Sequence, residues 1–327
     1  MGEAAKIART IARTIEDLRA KDVSFLAPTQ TNFVKLWLSF SWESLNFSLR
    51  GLGHEGECPP ASPSLCYSVG MARGIAKQNL PVVVFFGLLA ASLGGLLLLP
   101  PVPQDQSYHQ FADQRTILAI PNFWNVVSNL PFVAVGAVGF RRFRDDPATV
   151  VFFLGVFLTG IGSSYYHWNP NDGTLFWDRL PMTLSFAALL ALVVEERVNA
   201  RAGAILLWPA LAIGLFSLLL WRWTDDLRLY FWVQFFPGLA VLLLFLLYQP
   251  KYTGTHYWIV AGVFYALAKL FEFTDGAIYS VGNFLSGHTL KHLTAAAACF
   301  AILRYFQTRR LITWPSARPV GLPLPKA

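Results

Sequence analysis

Charge is what this chain has least of. Asp, Glu, Lys and Arg make up 14% of its 327 residues, against roughly a quarter in soluble domains. That scarcity argues against a water-soluble globule of this length. Cysteine is nearly absent too: Cys58 and Cys66 lie in a Pro/Ser-rich stretch, Cys299 lies in an apolar run, and no Cys-x-x-Cys occurs. Thiolate metal sites and a disulfide framework are therefore not expected. The formal net charge is +7. Its surplus falls in short loops and at the termini, so no nucleic-acid partner is expected.

What remains is greasy. Hydrophobic residues reach 54% and aromatics 15%, a composition suited to lipid-facing helices with interfacial aromatic belts. The fold class read from this is all-α, a polytopic membrane protein. Seven apolar spans lie at roughly 121–140, 148–167, 179–195, 203–221, 230–248, 256–275 and 287–306, each near the length that crosses a bilayer. Short connections between them predict a seven-transmembrane-helix bundle over residues 105–307. One more apolar run, over 80–100, follows Arg73 and Lys77 and reads as an extra N-terminal transmembrane anchor helix that is not cleaved. Residues 1–79 read as a poorly ordered extension with an amphipathic stretch over 7–18 and a Gly/Pro/Cys-rich segment over 51–66. Translation from Met71 would remove most of it. Residues 308–327 read as a tail.

Loop charge sets the orientation. Arg141, Arg142, Arg144, Arg197, Arg201, Lys251, Arg304, Arg309 and Arg310 fall in alternate connections and after the last span. The other connections carry only Arg179, and Arg222 with Arg228 offset by Asp225 and Asp226. This predicts a cytoplasmic C-terminus, in a bacterial inner membrane. It also brings His167, Asp178, His288 and His292 to one extracytoplasmic membrane face, although they are far apart in sequence.

Those residues carry the chemistry. The chain has six histidines, and three of them sit at the ends of apolar spans, where ionisable groups are costly and mark function. His288 and His292 are four apart, so on a helix they share one face with about 6 Å of rise between them. Two imidazoles so spaced can hold one metal ion, and His167 from another helix supplies a third nitrogen. Three protein ligands leave a fourth zinc position open, the catalytic rather than the structural pattern. Ser163 lies one turn before His167 and is placed to donate to a developing oxyanion. Asp178 is placed to hold a water and move its proton to a leaving group. The assembled chemistry is metal-assisted hydrolysis of an amide or ester. The plainer alternatives are a packing role for Ser163 and an interfacial Asp178–Arg179 ion pair capping a helix that starts at Pro181.

Two further polar sets accompany these. Lys269 and Glu272 are helix neighbours that can neutralise one another, with Asp275 close behind. They read first as a structural pair, then as supports for the metal site or for a substrate head group. Asn125 and Ser128, in the amide-rich opening of the first span, read first as helix packing and then as supports around the metal.

Taken together, Ser163-x3-His167, Asp178 eleven residues on, and the late His288-x3-His292 resemble the alkaline ceramidase family. That family is part of a superfamily of seven-helix membrane hydrolases that includes the progestin and adipoQ receptors. The resemblance covers roughly residues 105–307. Phe123-Trp124-Asn125-Val126-Val127-Ser128-Asn129 is similar to the family's first-helix motif, and residues 162–182 to its central block. It implies Zn2+ on His167, His288 and His292, with Ser163 and Asp178 completing the active site. It further implies cleavage of the amide bond of a ceramide-like lipid to a sphingoid base and a fatty acid. Eukaryotic members carry a calcium site that includes an acidic residue directly before the Phe-Trp-Asn. Here that residue is Asn122, and Asp105 and Asp113 are the few carboxylates left nearby. Calcium is not carried over, and the chain is closer to a prokaryotic branch. The rivals are a zinc-containing receptor or sensor without turnover, and a haem protein using the histidines as axial ligands.

Overall fold

The computed structural model describes residues 82–313. The readings for residues 1–79, for the first two residues of the anchor and for the end of the tail lie outside the described residues. Within them the chain is all-α. The only β features are two isolated bridges, Ile117–Ile120 and Tyr252–Leu311.

The helices follow the apolar spans. They are α1 (Val82–Leu98), α2 (Phe123–Val127), α3 (Leu130–Arg142), α4 (Pro147–Trp168), α5 (Asp172–Arg197), α6 (Ala200–Thr224), α7 (Arg228–Leu247), α8 (Thr255–Phe273), α9 (Asp275–Tyr279) and α10 (Gly287–Thr308). A 3-10 turn, Gln106–His109, lies in the segment between α1 and α2. Among the described residues, five stretches are long and apolar enough to cross a membrane: Phe123–Arg142 and helices α4 to α7. These mark the chain as an integral membrane protein. Helix α1 is shorter, and α8 and α10 carry the polar residues of the site. Large apolar side chains such as Trp208, Leu242, Leu246, Ile259 and Val263 lie exposed on α6, α7 and α8, as lipid-facing surfaces require.

Local chemistry explains the ends. Asp146 caps α4 by accepting from the Thr149 N–H at 2.8 Å, with Pro147 opening the helix where its missing N–H does no harm. Asn171 and Thr174 cap α5 reciprocally. Ser286 caps α10 through the Thr289 N–H at 3.2 Å.

Two expectations need correction. The first span is not one helix. It breaks between α2 and α3 because Pro131 has no N–H for the Val127 carbonyl, and Asn122 enters α2 in the left-handed region at φ 48°. The third span does not begin at 179: α5 starts at Asp172, so Asp178 and Arg179 lie inside the helix and cap nothing.

Pro181 sits within α5, so the carbonyl of Trp177, four residues earlier, loses its helical partner. Gly162 of α4 packs onto that carbonyl. A Cβ added at Gly162 would lie 2.2 Å from the Trp177 oxygen. The bare Cα thus lets α4 and α5 meet beside the next residue, Ser163, and beside Asp178. Gly162→Val is expected to lower stability by about 1–3 kcal/mol and to separate those side chains, read as a lower unfolding temperature in detergent together with lost activity.

Helix α5 packs against α4, α6 and α7, while α10 packs against α8 and α3. A large apolar core fills most of the bundle. A smaller aromatic cluster, including Phe111, Tyr166, Trp221 and Tyr230, occupies the end that holds the histidines.

Candidate metal centre

His167 is the penultimate residue of α4; His288 and His292 lie in the first two turns of α10. All three are buried, and each offers a nitrogen within 4.8 Å of the other two. Their ring centroids are 4.8–4.9 Å apart pairwise, and the His167 Nε2 stands 3.2 Å from the His292 Nε2. The group can hold a metal ion.

Neighbours aim the rings. The Ser128 hydroxyl is 2.8 Å from the His292 Nδ1 and 3.3 Å from the Asn125 carbonyl. If the hydroxyl donates to that carbonyl, it accepts from Nδ1–H and leaves Nε2 with a free lone pair, the tautomer a metal needs. Ser128→Ala is expected to weaken metal binding about 10–100-fold, measured by competition with a chromophoric chelator.

Backbone is held with equal care. The His167 carbonyl accepts from the Asn122 side chain at 2.9 Å. Asp275 accepts the His288 N–H at 2.7 Å and the Ala112 N–H at 3.0 Å, tying the start of α10 to the segment before α2. Thr289 donates to Asn125 at 3.0 Å, and Asn125 to the Asp113 carbonyl at 3.4 Å. Phe111 closes the group, its ring 4.5 Å from His167 and 4.8 Å from His288.

Ser163 and Asp178 are 3% and 8% exposed and lie near one another across the α4–α5 contact, where Gly162 meets the backbone of Trp177 and Asp178. Asp178 makes no ion pair with Arg179; adjacent helix residues point about 100° apart. The expected Lys269–Glu272 pair forms at 2.9 Å. Glu272 also holds Lys291 at 2.6 Å, and the Lys291 ammonium lies 3.4 Å from the His288 Nε2.

Lys291, Phe111, Tyr108 and His109 escaped the sequence reading. Lys291 had a legible signal, a lysine between two histidines in an apolar helix. The other three lie in the segment before α2, which has no periodicity to read. His109 bridges the Tyr166 hydroxyl at 2.9 Å and Asp172 at 3.1 Å. Tyr108 donates to Glu272 at 3.2 Å, and burial together with that carboxylate pushes its phenol well above the ordinary value, so it remains a donor. The segment is pinned by Asp113. Burial alone would raise the Asp113 carboxyl, but hydrogen bonds from Arg115 outweigh it and hold the group below its ordinary value. Asp105 accepts from the Ser107 N–H at 2.9 Å.

Comparison with curated proteins finds no match. Residues 115–272 match the model of the Ceramidase family. That range contains Asn125, Ser128, Ser163, His167, Asp178 and Glu272; Asp275, His288 and His292 lie beyond it and join the site through its geometry. Over residues 115–272 the chain is similar to the Ceramidase family.

Proposed function

We propose that the chain is a zinc-dependent membrane amidase that hydrolyses a ceramide-like lipid to an amine and a fatty acid. The observation that carries this reading is the buried convergence of His167, His288 and His292 beside the Ser163–Asp178 pair. The Ceramidase-family segment supports the amide bond as the target.

The donor set fits zinc. Two nitrogens on one tetrahedral zinc, each at about 2.0–2.1 Å, stand roughly 3.3 Å apart, close to the 3.2 Å between the Nε2 atoms of His167 and His292. Two imidazole lone pairs facing each other at that distance repel unless a proton or a cation lies between them. The His167 Nδ1 is also buried without a protein partner. Zinc held here would supply Lewis acidity toward the amide carbonyl and lower the pKa of a water.

The protein's own groups do the rest. Asp178 takes a proton from the attacking water and returns it to the leaving nitrogen. The Ser163 hydroxyl donates to the amide oxygen as negative charge develops there. Phe111 and the aromatic cluster keep bulk water away, which strengthens both interactions. Ser128, Asn125 and Asp275 orient the histidines, and Glu272 holds Lys291 in place.

Under this reading α8 and α10 complete seven spans, their hydropathy lowered by Lys269, Glu272, His288, Lys291 and His292, and α1 is the anchor. The loop charges support a cytoplasmic C-terminus with the site near the extracytoplasmic face of a bacterial inner membrane. The test is metal analysis of the purified chain together with chromatographic detection of both products from a ceramide. Zinc at one equivalent with release of base and acid is the expected result.

A further inference from the structure

Helix α1 lies outside the residues that match the family model, and it leans on the bundle unevenly. Its C-terminal half is fixed. Arg228 of α7 donates to the carbonyls of Leu96 and Leu99, and the Trp232 indole N–H donates to Ser92 at 3.0 Å. The first two turns of α1 carry no polar side chain and meet the bundle through contacts such as Phe85 edge-on to Phe236. There a cavity of about 370 Å³ opens between α1, α5, α6 and α7.

Its walls are apolar, with Phe85 and Leu89 from α1, Leu190 from α5, Leu206 and Ala210 from α6, and Phe236 from α7. Of the lining residues, two carry a polar side-chain atom. Trp232 spends its N–H on Ser92, and Tyr248 stands at the mouth. Such walls give water nothing to bond, and at membrane depth the surrounding medium is hydrocarbon. The size is that of a ligand site, and the lining suits an acyl chain.

Direction and length identify the lipid. The cavity runs inward from Val198, Ala202 and Tyr248, at the helix ends opposite the histidines, to Ala187, Ile213 and Trp232. Ala187 to Val198 and Ala202 to Ile213 each cover about 16 Å of helix rise. That is about half of a typical hydrocarbon core, the depth that one chain of a single leaflet fills. The inner end stops about 13 Å along α5 from Asp178, and no residue of the metal centre lines the walls. The occupant therefore belongs to the leaflet away from the histidines.

Charge at the mouth gives the head group. The nine Lys and Arg residues that orient the chain lie at this face, against Asp145, Asp146, Glu195 and Glu196 among the described residues. Arg197 is engaged by the Tyr248 carbonyl and the Thr255 hydroxyl. Arg201 is exposed beside the lining residue Ala202, and among the described residues no hydrogen bond or ion pair occupies it. Basic side chains at an interface attract anionic head groups.

We propose that this cavity binds one acyl chain of an anionic phospholipid from the leaflet opposite the histidines, with the phosphate beside Arg201. The chain wedges the first turns of α1 against α5, α6 and α7. The site is independent of the chemistry at the metal centre.

The experiment places the purified full chain in phosphatidylcholine bilayers with phosphatidylglycerol that carries a diazirine midway along one acyl chain. After irradiation, labelled residues are mapped by peptide mass spectrometry. Labelling of Leu206, Ala210 and Phe236 is expected to exceed that of the lipid-facing Trp208, Leu246 and Ile259 about tenfold. Ala210→Phe, which fills the cavity, should lower the label on Leu206 and Phe236 about tenfold and leave that on Ile259 unchanged. The same diazirine on phosphatidylcholine should label the walls about fivefold less, and Arg201→Gln should bring that preference close to one. Should the phenylalanine variant fail to accumulate, the wild-type pattern and Arg201→Gln decide. Label spread evenly over wall and lipid-facing residues overturns the site, as does undiminished wall labelling in Ala210→Phe. Equal labelling by the two phospholipids, or by a diazirine palmitic acid, overturns the anionic phospholipid as its occupant.

Discussion

Replacing His288 with alanine is expected to give protein that retains no stoichiometric zinc and hydrolyses no lipid amide. The loss should exceed the roughly 10–100-fold that removal of an outer hydrogen-bonding partner costs, because two imidazoles in a buried site leave a cation under-coordinated. His288 is 5% exposed, and its backbone N–H is held by Asp275 at 2.7 Å. That bond does not involve the ring, so the start of α10 stays in place when the imidazole is removed. Metal analysis and product release on one folded sample check both halves. A variant that kept zinc and full activity would remove His288 from the site.

Asp178→Asn is expected to do the opposite with metal: zinc stays while turnover falls about 10²–10⁴-fold. Asparagine has nearly the shape of aspartate, and α4 and α5 meet through Gly162 and the Trp177 carbonyl, so the α4–α5 contact survives. It cannot take up a proton from water. The split between retained metal and lost kcat separates a proton-moving group from a merely structural carboxylate, whose loss would appear as lower yield or melting temperature. Full turnover in this variant would hand the proton transfer to another residue.

Much of the site was legible because membrane helices are strict. Ionisable side chains at the ends of apolar spans are few, and the alternation of the spans puts those ends on a common side, so His167, Asp178, His288 and His292 could be grouped as candidates without tertiary information. The structure brings His167, His288 and His292 within ligand distance of one another, and packs α4 onto α5 beside Ser163 and Asp178. What escaped has definite causes. The break after α2 depends on the missing N–H of Pro131, which hydropathy does not register. The start of α5 at Asp172 depends on the Asn171–Thr174 cap, seven residues before the run becomes apolar. Asp178 and Arg179 look like an ion pair as neighbours in sequence. On a helix they diverge, one beside the α4 contact at Gly162 and the other into an aromatic cage. Phe111 and Tyr108 reach the site from an aperiodic segment fixed by the Asp113–Arg115 pair, where only tertiary contacts define position.

The most direct test of the central claim is ceramide hydrolysis by the purified chain before chelation, after metal stripping, and after zinc is restored. The account predicts cleavage that disappears with the metal and returns with one equivalent of zinc. Hydrolysis that survives complete removal of metal, or zinc-loaded protein that cleaves no lipid amide, would contradict it.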